Sequence, residues 1–154
     1  MIKINVITKN TNWFRYIKNP SNYIDKKIIK LNLKNKDFNK ISLFCTLLLS
    51  GNKEIKYLNK KFRNKNKHTD ILSFPFHQKS KKLREIYLGD IIISFNYMNK
   101  FKGPNTGNFK ENVVKIFIHG FLHLLDFDHI KKKDYIKMLN EEQKIFRSVQ
   151  KFIN

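Results

Sequence analysis

Apolar residues along this chain recur at two different spacings, and the changes of spacing divide it into elements. Ile2, Ile4 and Val6 alternate with polar neighbours through Ile7, the period-two pattern of a strand with one buried face. Thr8 to Asn19 is mostly polar, with Trp13 and Phe14, and reads as loop. Pro20 and Ser21 can open a helix over Asn22 to about Leu33, because proline's fixed φ suits a first helical position. Tyr23, Ile24, Ile28 and Leu31 form its apolar stripe, and Lys26, Lys27 and Lys30 line other faces. Asn35 to Asn39 is a turn-prone break. Ile41 to Leu49 is apolar apart from Ser42 and Thr46 and predicts a central strand, with Ser50 as N-cap of the next helix. In that helix Ile55, Leu58 and Phe62 repeat at helical spacing across Glu54 to Phe62.

Arg63 to His68 is a basic loop. Thr69 to Pro75 is extended and ends at the proline, which cannot continue a sheet ladder. Gln78 to Glu85 is a second basic loop, Leu88 to Ser94 a second strongly strand-like run, and Lys100 to Gly107 a flexible connection. A helix over about Phe109 to Leu125 is apolar nearly all round and should be buried. After the exposed Lys131 to Lys133, Asp134 can cap a last amphipathic helix through about Phe152, with Ile136, Leu139, Ile145, Phe146 and Val149 inward. Strands and helices without a strict βαβ rhythm predict an α+β fold, a small mixed sheet packed with helices. The length suits one domain, residues 1–154, with one core.

Charge adds a class of partner. Thirty-two basic against 12 acidic residues give a formal +20, which attracts polyanions, nucleic acid first. The competing cause is coding bias: the chain has no alanine and abounds in Lys, Asn and Ile, so some lysines merely solvate faces. A membrane is disfavoured, since no long apolar run or lipidation signal is present. The single cysteine, Cys45, lies in an apolar run and reads as a small core residue, and the N-terminus lacks a signal-peptide pattern, so a reducing cytoplasm is expected.

The chemistry concentrates between Ile118 and Ile130, which holds three of the five histidines. His119 and His123, four apart, share one helix face and can converge on one ion. A lone histidine on an apolar helix is more often a hydrogen-bonded core residue; a third, His129, six residues on, shifts the balance toward a metal. A helix end at Asp126, a residue that tolerates left-handed backbone, would turn His129 back as third ligand. Three neutral nitrogens with an open fourth position describe a catalytic zinc site. The spacing is similar to H-E-x-x-H-x-x-G-x-x-H of metzincin peptidases. However, Gly120 stands where those enzymes carry their catalytic Glu, and Asp126 where they carry Gly. The helix therefore lacks the general base of peptide hydrolysis.

Four segments in this order, Leu58-Asn59 through Arg63, Thr69-Asp70-Ile71-Leu72-Ser73-Phe74-Pro75, Leu88 to Ser94 and the histidine stretch, resemble the YbeY family of bacterial endoribonucleases. The resemblance runs from about Leu58 to Ile145, including Met138 and Glu141 or Glu142. It implies a zinc-dependent, single-strand-specific endoribonuclease acting in 16S rRNA 3′-end maturation and ribosome quality control, with ribosomal RNA and the small subunit as partners. It implies one zinc per chain on His119, His123 and His129, with Arg63 and His119 as catalytic residues. The family's usual Gly is Asp126 here, and its usual Tyr is Phe127.

Arg63 could grip phosphate bidentately and offset transition-state charge, or be one surface arginine among others. Asp70 or Asp128 could orient a ligand imidazole, with a turn or cap role for Asp70 equally open. His68 reads as an exposed loop residue, and Thr69 and Ser73 as local bonders or phosphate contacts. The lysine-rich segments Lys65 to His68, Lys79 to Arg84 and Lys131 to Lys133 could follow an RNA backbone. Phe74, Phe76 and Phe127 are expected to pack in the core rather than stack on bases. Two other readings stand beside the nuclease: a metal-stabilised RNA-binding ribosome-assembly factor without catalysis, and a hydrolase of a small substrate, which would not need so large a charge.

Overall fold

The alternating N-terminal segment forms strand β1 (Ile2–Thr8), and the apolar run after it forms β2 (Ser42–Ser50). In the computed structural model, which describes residues 1–34, 41–76, 85–100 and 106–150, they join β3 (Ile71–Pro75) and β4 (Glu85–Ser94). The four-stranded sheet has the order β1-β2-β4-β3. β1 to β2 and β2 to β4 are parallel, and β3 to β4 is antiparallel. Parallel neighbours require crossovers. Helix α1 (Pro20–Lys34) lies between β1 and β2, and α2 (Asn52–Arg63) follows β2. Helices α3 (Phe95–Lys100), α4 (Thr106–Leu124) and α5 (Lys132–Gln150) follow the sheet. This is the α+β fold around a mixed sheet that the pattern predicts.

Period-two alternation divides the sheet's residues between two clusters. Ile2, Ile4, Cys45, Leu47, Leu49, Ile91 and Ile93 join the main core with Ile24 and Ile28 of α1 and Val113, Phe117 and Phe121 of α4. On the other face Leu72 and Ile92 meet Ile55 of α2, with Leu48, Leu58 and Phe74 packed alongside. Helices α4 and α2 thus occupy opposite faces, and β3 is an edge strand between them. Among the described residues no helix is long and apolar enough to cross a membrane.

Several boundaries and roles differ from expectation. The polar segment after β1 holds a 3-10 turn, Thr11–Arg15, whose Trp13 is fully buried and donates from Nε1 to the Ser50 carbonyl at 3.0 Å. Ser50 ends β2 instead of capping α2, and its hydroxyl donates to the Ile93 carbonyl. Gly51 is the N-cap and makes no side-chain cap bond; Asn96 of α3 supplies the acceptor instead, taking Asn52 N–H at 3.0 Å. Asp134 lies in the first turn of α5, which starts earlier, at Lys132. Lys27 is buried, not on an outer face, and burial, then Lys30 and Lys110, hold its pKa below the usual lysine value. Ile136 is exposed, because the inward stripe of α5 begins at Met138. Helix α3 is too short to leave a periodic signal. The expected break at 35–39, the basic loop at 78–84, most of the 100–107 connection and the last turn after Gln150 lie outside the described residues.

Candidate metal centre

Helix α4 reaches the sheet edge because Gly120 lets it approach closely. A Cβ there would lie 2.5 Å from Ile71 Cδ1 and 2.9 Å from Ser73 Oγ, both on β3. The Ser73 hydroxyl donates to the Gly120 carbonyl at 3.2 Å and fixes the same contact. One residue before and three after that glycine, His119 and His123 face the same side. The helix stops at Leu124, and Asp126 takes the left-handed conformation at φ 67°, as the sequence suggests. Phe127 N–H then donates back to the Leu122 carbonyl at 3.0 Å, closing the turn. The returning chain carries His129 to the pair, and one ligand atom from each of the three rings lies within 4.8 Å of the others.

The hydrogen bonds orient the rings. His123 Nδ1 lies 3.0 Å from the Phe127 carbonyl oxygen, which can only accept, so Nδ1 carries the proton. His119 Nδ1 lies 2.6 Å from Glu142 Oε1 of α5 and donates in the same way. In the neutral rings that binding requires, this leaves each Nε2 as the ligand atom, and the two stand 3.1 Å apart. Two lone pairs at that distance repel unless a proton or a metal ion lies between them. Ligands of one tetrahedral zinc, each at about 2.05 Å, are separated by about 3.3 Å. The donor set therefore suits a metal ion. Burial, followed by the neighbouring His119, lowers the pKa of His123 and favours the neutral form that binds metal.

A cavity of about 670 Å³ opens over the rings, lined by Arg63, Asp70, Ser73, Pro75, His119, His123, Asp126, Phe127, Asp128 and His129. Arg63 is the last residue of α2, and the exposed side chain comes from the other face of the sheet. The left-handed Asn64 (φ 56°) ends that helix, and Asn59 Nδ2 holds the following loop through the Lys67 carbonyl at 2.8 Å. Edge strand β3 is what lets residues from both faces line one cavity.

Asp70 takes the local role: Oδ1 accepts from Thr69 Oγ1 and from Ile71 N, both at 2.8 Å. Asp128 accepts from the His129 backbone at 2.7 Å. His68 is exposed, edge-on to Tyr97 at 6.3 Å. Phe74 packs beneath α2 and Phe127 is half-buried, whereas Phe76 is 43% exposed, against the expected core position. Lys65, Lys67 and Lys131 to Lys133 are exposed, and Lys79 to Arg84 lie outside the described residues. Glu142 has no place in the sequence reading beyond its span. Its signal was a carboxylate on the apolar stripe formed by Met138, Ile145 and Val149.

The family described as endoribonuclease YbeY matches residues 7–150. The endoribonuclease YbeY of Pelagibacter ubique is 50% identical over 97% of both chains. That of Persephonella marina is 34% identical over 71% of this chain and 72% of its own. The solution structure of TM1509 from Thermotoga maritima shares the fold, with a TM-score of 0.55 over 97% of this chain and 89% of the other at 23% identity. With the match spanning both walls of the cavity, the chain belongs to the YbeY endoribonuclease family.

Proposed function

We propose that this chain is a zinc-dependent, single-strand-specific endoribonuclease that matures the 3′ end of 16S ribosomal RNA and serves ribosome quality control. It works as a single domain in the cytoplasm, with the small ribosomal subunit as partner. The observation that carries the reading is the 3.1 Å approach of the His119 and His123 Nε2 atoms, with each Nδ1 turned to an oxygen acceptor, inside an arginine-lined cavity. His119, His123 and His129 hold one ion, and three imidazoles suit zinc, nickel or copper better than magnesium. When bound, zinc supplies Lewis acidity toward a phosphate oxygen or the attacking water. Arg63 provides a planar fork that binds a phosphate and offsets the charge it gains in the transition state. His119 acts by presenting its Nε2, with its other nitrogen committed to Glu142. The net charge of +20 draws the RNA in.

The test combines elemental analysis of purified protein with cleavage of single-stranded and duplex RNA before and after chelation. Expected are about one zinc per chain, preference for the single strand, and loss of cleavage in a folded His123→Ala variant. Cleavage that survives complete removal of metal would refute the zinc dependence. Loss of stability without any cleavage by the wild type would favour the assembly-factor reading.

A further inference from the structure

We propose that Glu142 is a positioning residue that holds His119 in its metal-binding tautomer and thereby sets metal affinity from the far side of α4. This rests on the metal reading above. Three observations carry it. First, Glu142 Oε1 lies 2.6 Å from His119 Nδ1, the nitrogen that faces away from His123. A carboxylate there fixes the proton on Nδ1, aims Nε2 at the shared point and raises its basicity. Second, Glu142 does not line the cavity that holds Arg63 and the three histidines. It borders a separate notch of about 170 Å³, with Lys115, Ile118, Gln143 and Phe146. It therefore reaches the substrate side only through the imidazole. Third, it occupies a position where helix packing alone calls for an apolar residue. Met138, Glu142, Ile145 and Val149 are spaced 4, 3 and 4 apart, and the other three are buried. A carboxylate on such a stripe loses solvation and needs a hydrogen-bonding partner; His119 is that partner. His123 has a different anchor, the Phe127 carbonyl, so the two rings are held by α5 and by the turn after α4 separately.

The experiment compares wild type, Glu142→Gln, Glu142→Ala and Glu141→Gln. Glu141 is the neighbouring control, which pairs only with Lys144 at 3.6 Å among the described ion pairs. Zinc affinity is measured by chelator competition, thermal stability on the metal-free proteins, and the His119 tautomer by ring-nitrogen chemical shifts. Glu142→Ala should weaken zinc binding about 10–100-fold and mix the His119 tautomers. Glu142→Gln, which keeps a neutral acceptor and nearly the same shape, should fall between, and Glu141→Gln should match wild type. Unchanged zinc affinity in both Glu142 variants would overturn the proposal, even if metal-free stability dropped. If Glu142→Ala fails to fold, Glu142→Gln decides alone. If wild type itself binds no zinc, the metal reading fails instead, and the two failures are thereby distinct.

Discussion

Gly120 and Ser73 share one hydrogen bond at 3.2 Å and leave no room for a side chain between them. The position that carries the general base in the similarly spaced peptidase helix is here pressed against the sheet. Its glycine answers to packing, since a Cβ would also meet Ile91 Cγ2 at 3.2 Å. Gly120→Ala should cost about 1–3 kcal/mol of overpacking, offset by about 1 kcal/mol of helix propensity. A net loss of about 1 kcal/mol in denaturant melts is expected, and a gain in stability would contradict the close packing. Gly120→Glu should damage folding without conferring peptidase activity.

Asp126 in its left-handed conformation is the hinge that brings His129 to the pair. Alanine there should be less stable than glycine by about 1 kcal/mol, since the left-handed region penalises a Cβ and glycine escapes that penalty. Against wild type, Asp126→Gly should lie within about 0.5 kcal/mol, because relief of the backbone is offset by a more flexible unfolded chain. Equal stability of the alanine and glycine variants would show that the turn tolerates another conformation.

Arg63→Ala should lower the cleavage rate about 10²–10³-fold, the usual effect of removing one charge-stabilising donor, while leaving the melting curve unchanged. Arg63→Lys should recover part of the binding and little of the rate, because a lysine cannot form the bidentate fork. RNA affinity should fall steeply with salt, and the alanine variant should flatten the log–log slope by about 0.7–1. Salt-independent binding would remove backbone contacts from the account.

The lowered pKa of His123 gives the metal-free protein an acid limb. Unfolding restores the ordinary value of 6.5, so below that pH the unfolded chain takes up the proton first. Stability is full above 6.5 and is lost as the pH falls from there through the lowered folded value. Metal-free wild type should therefore weaken through this window in urea melts, and His123→Gln should weaken less. Parallel curves for the two proteins would count against a half-buried neutral imidazole.

The sequence revealed what repeats and concealed what converges. Both long apolar runs, Ile41 to Leu49 and Leu88 to Ser94, are legible as strands because their apolar content exceeds what a surface can carry, although Ile41 and Phe44 stay exposed. The histidine cluster is legible because His119 and His123 are one helical turn apart and Asp126 permits the return of His129. Trp13 hid in a polar stretch because its support, Phe95 and Phe109 at 5.6 and 5.7 Å, comes from residues more than 80 positions away. Asn96 capping α2 and Glu142 orienting His119 were hidden for the same reason. Each partner is distant in the chain, and no local spacing encodes it.

Because β3 forms the rim of the sheet, the cavity is a notch cut across a border and not a well sunk into a face. Among the described residues, its two sides belong to separate layers. A polymer laid over such a border can be gripped anywhere along its length. It need not offer a free terminus. That geometry matches cutting within a strand better than nibbling from its end.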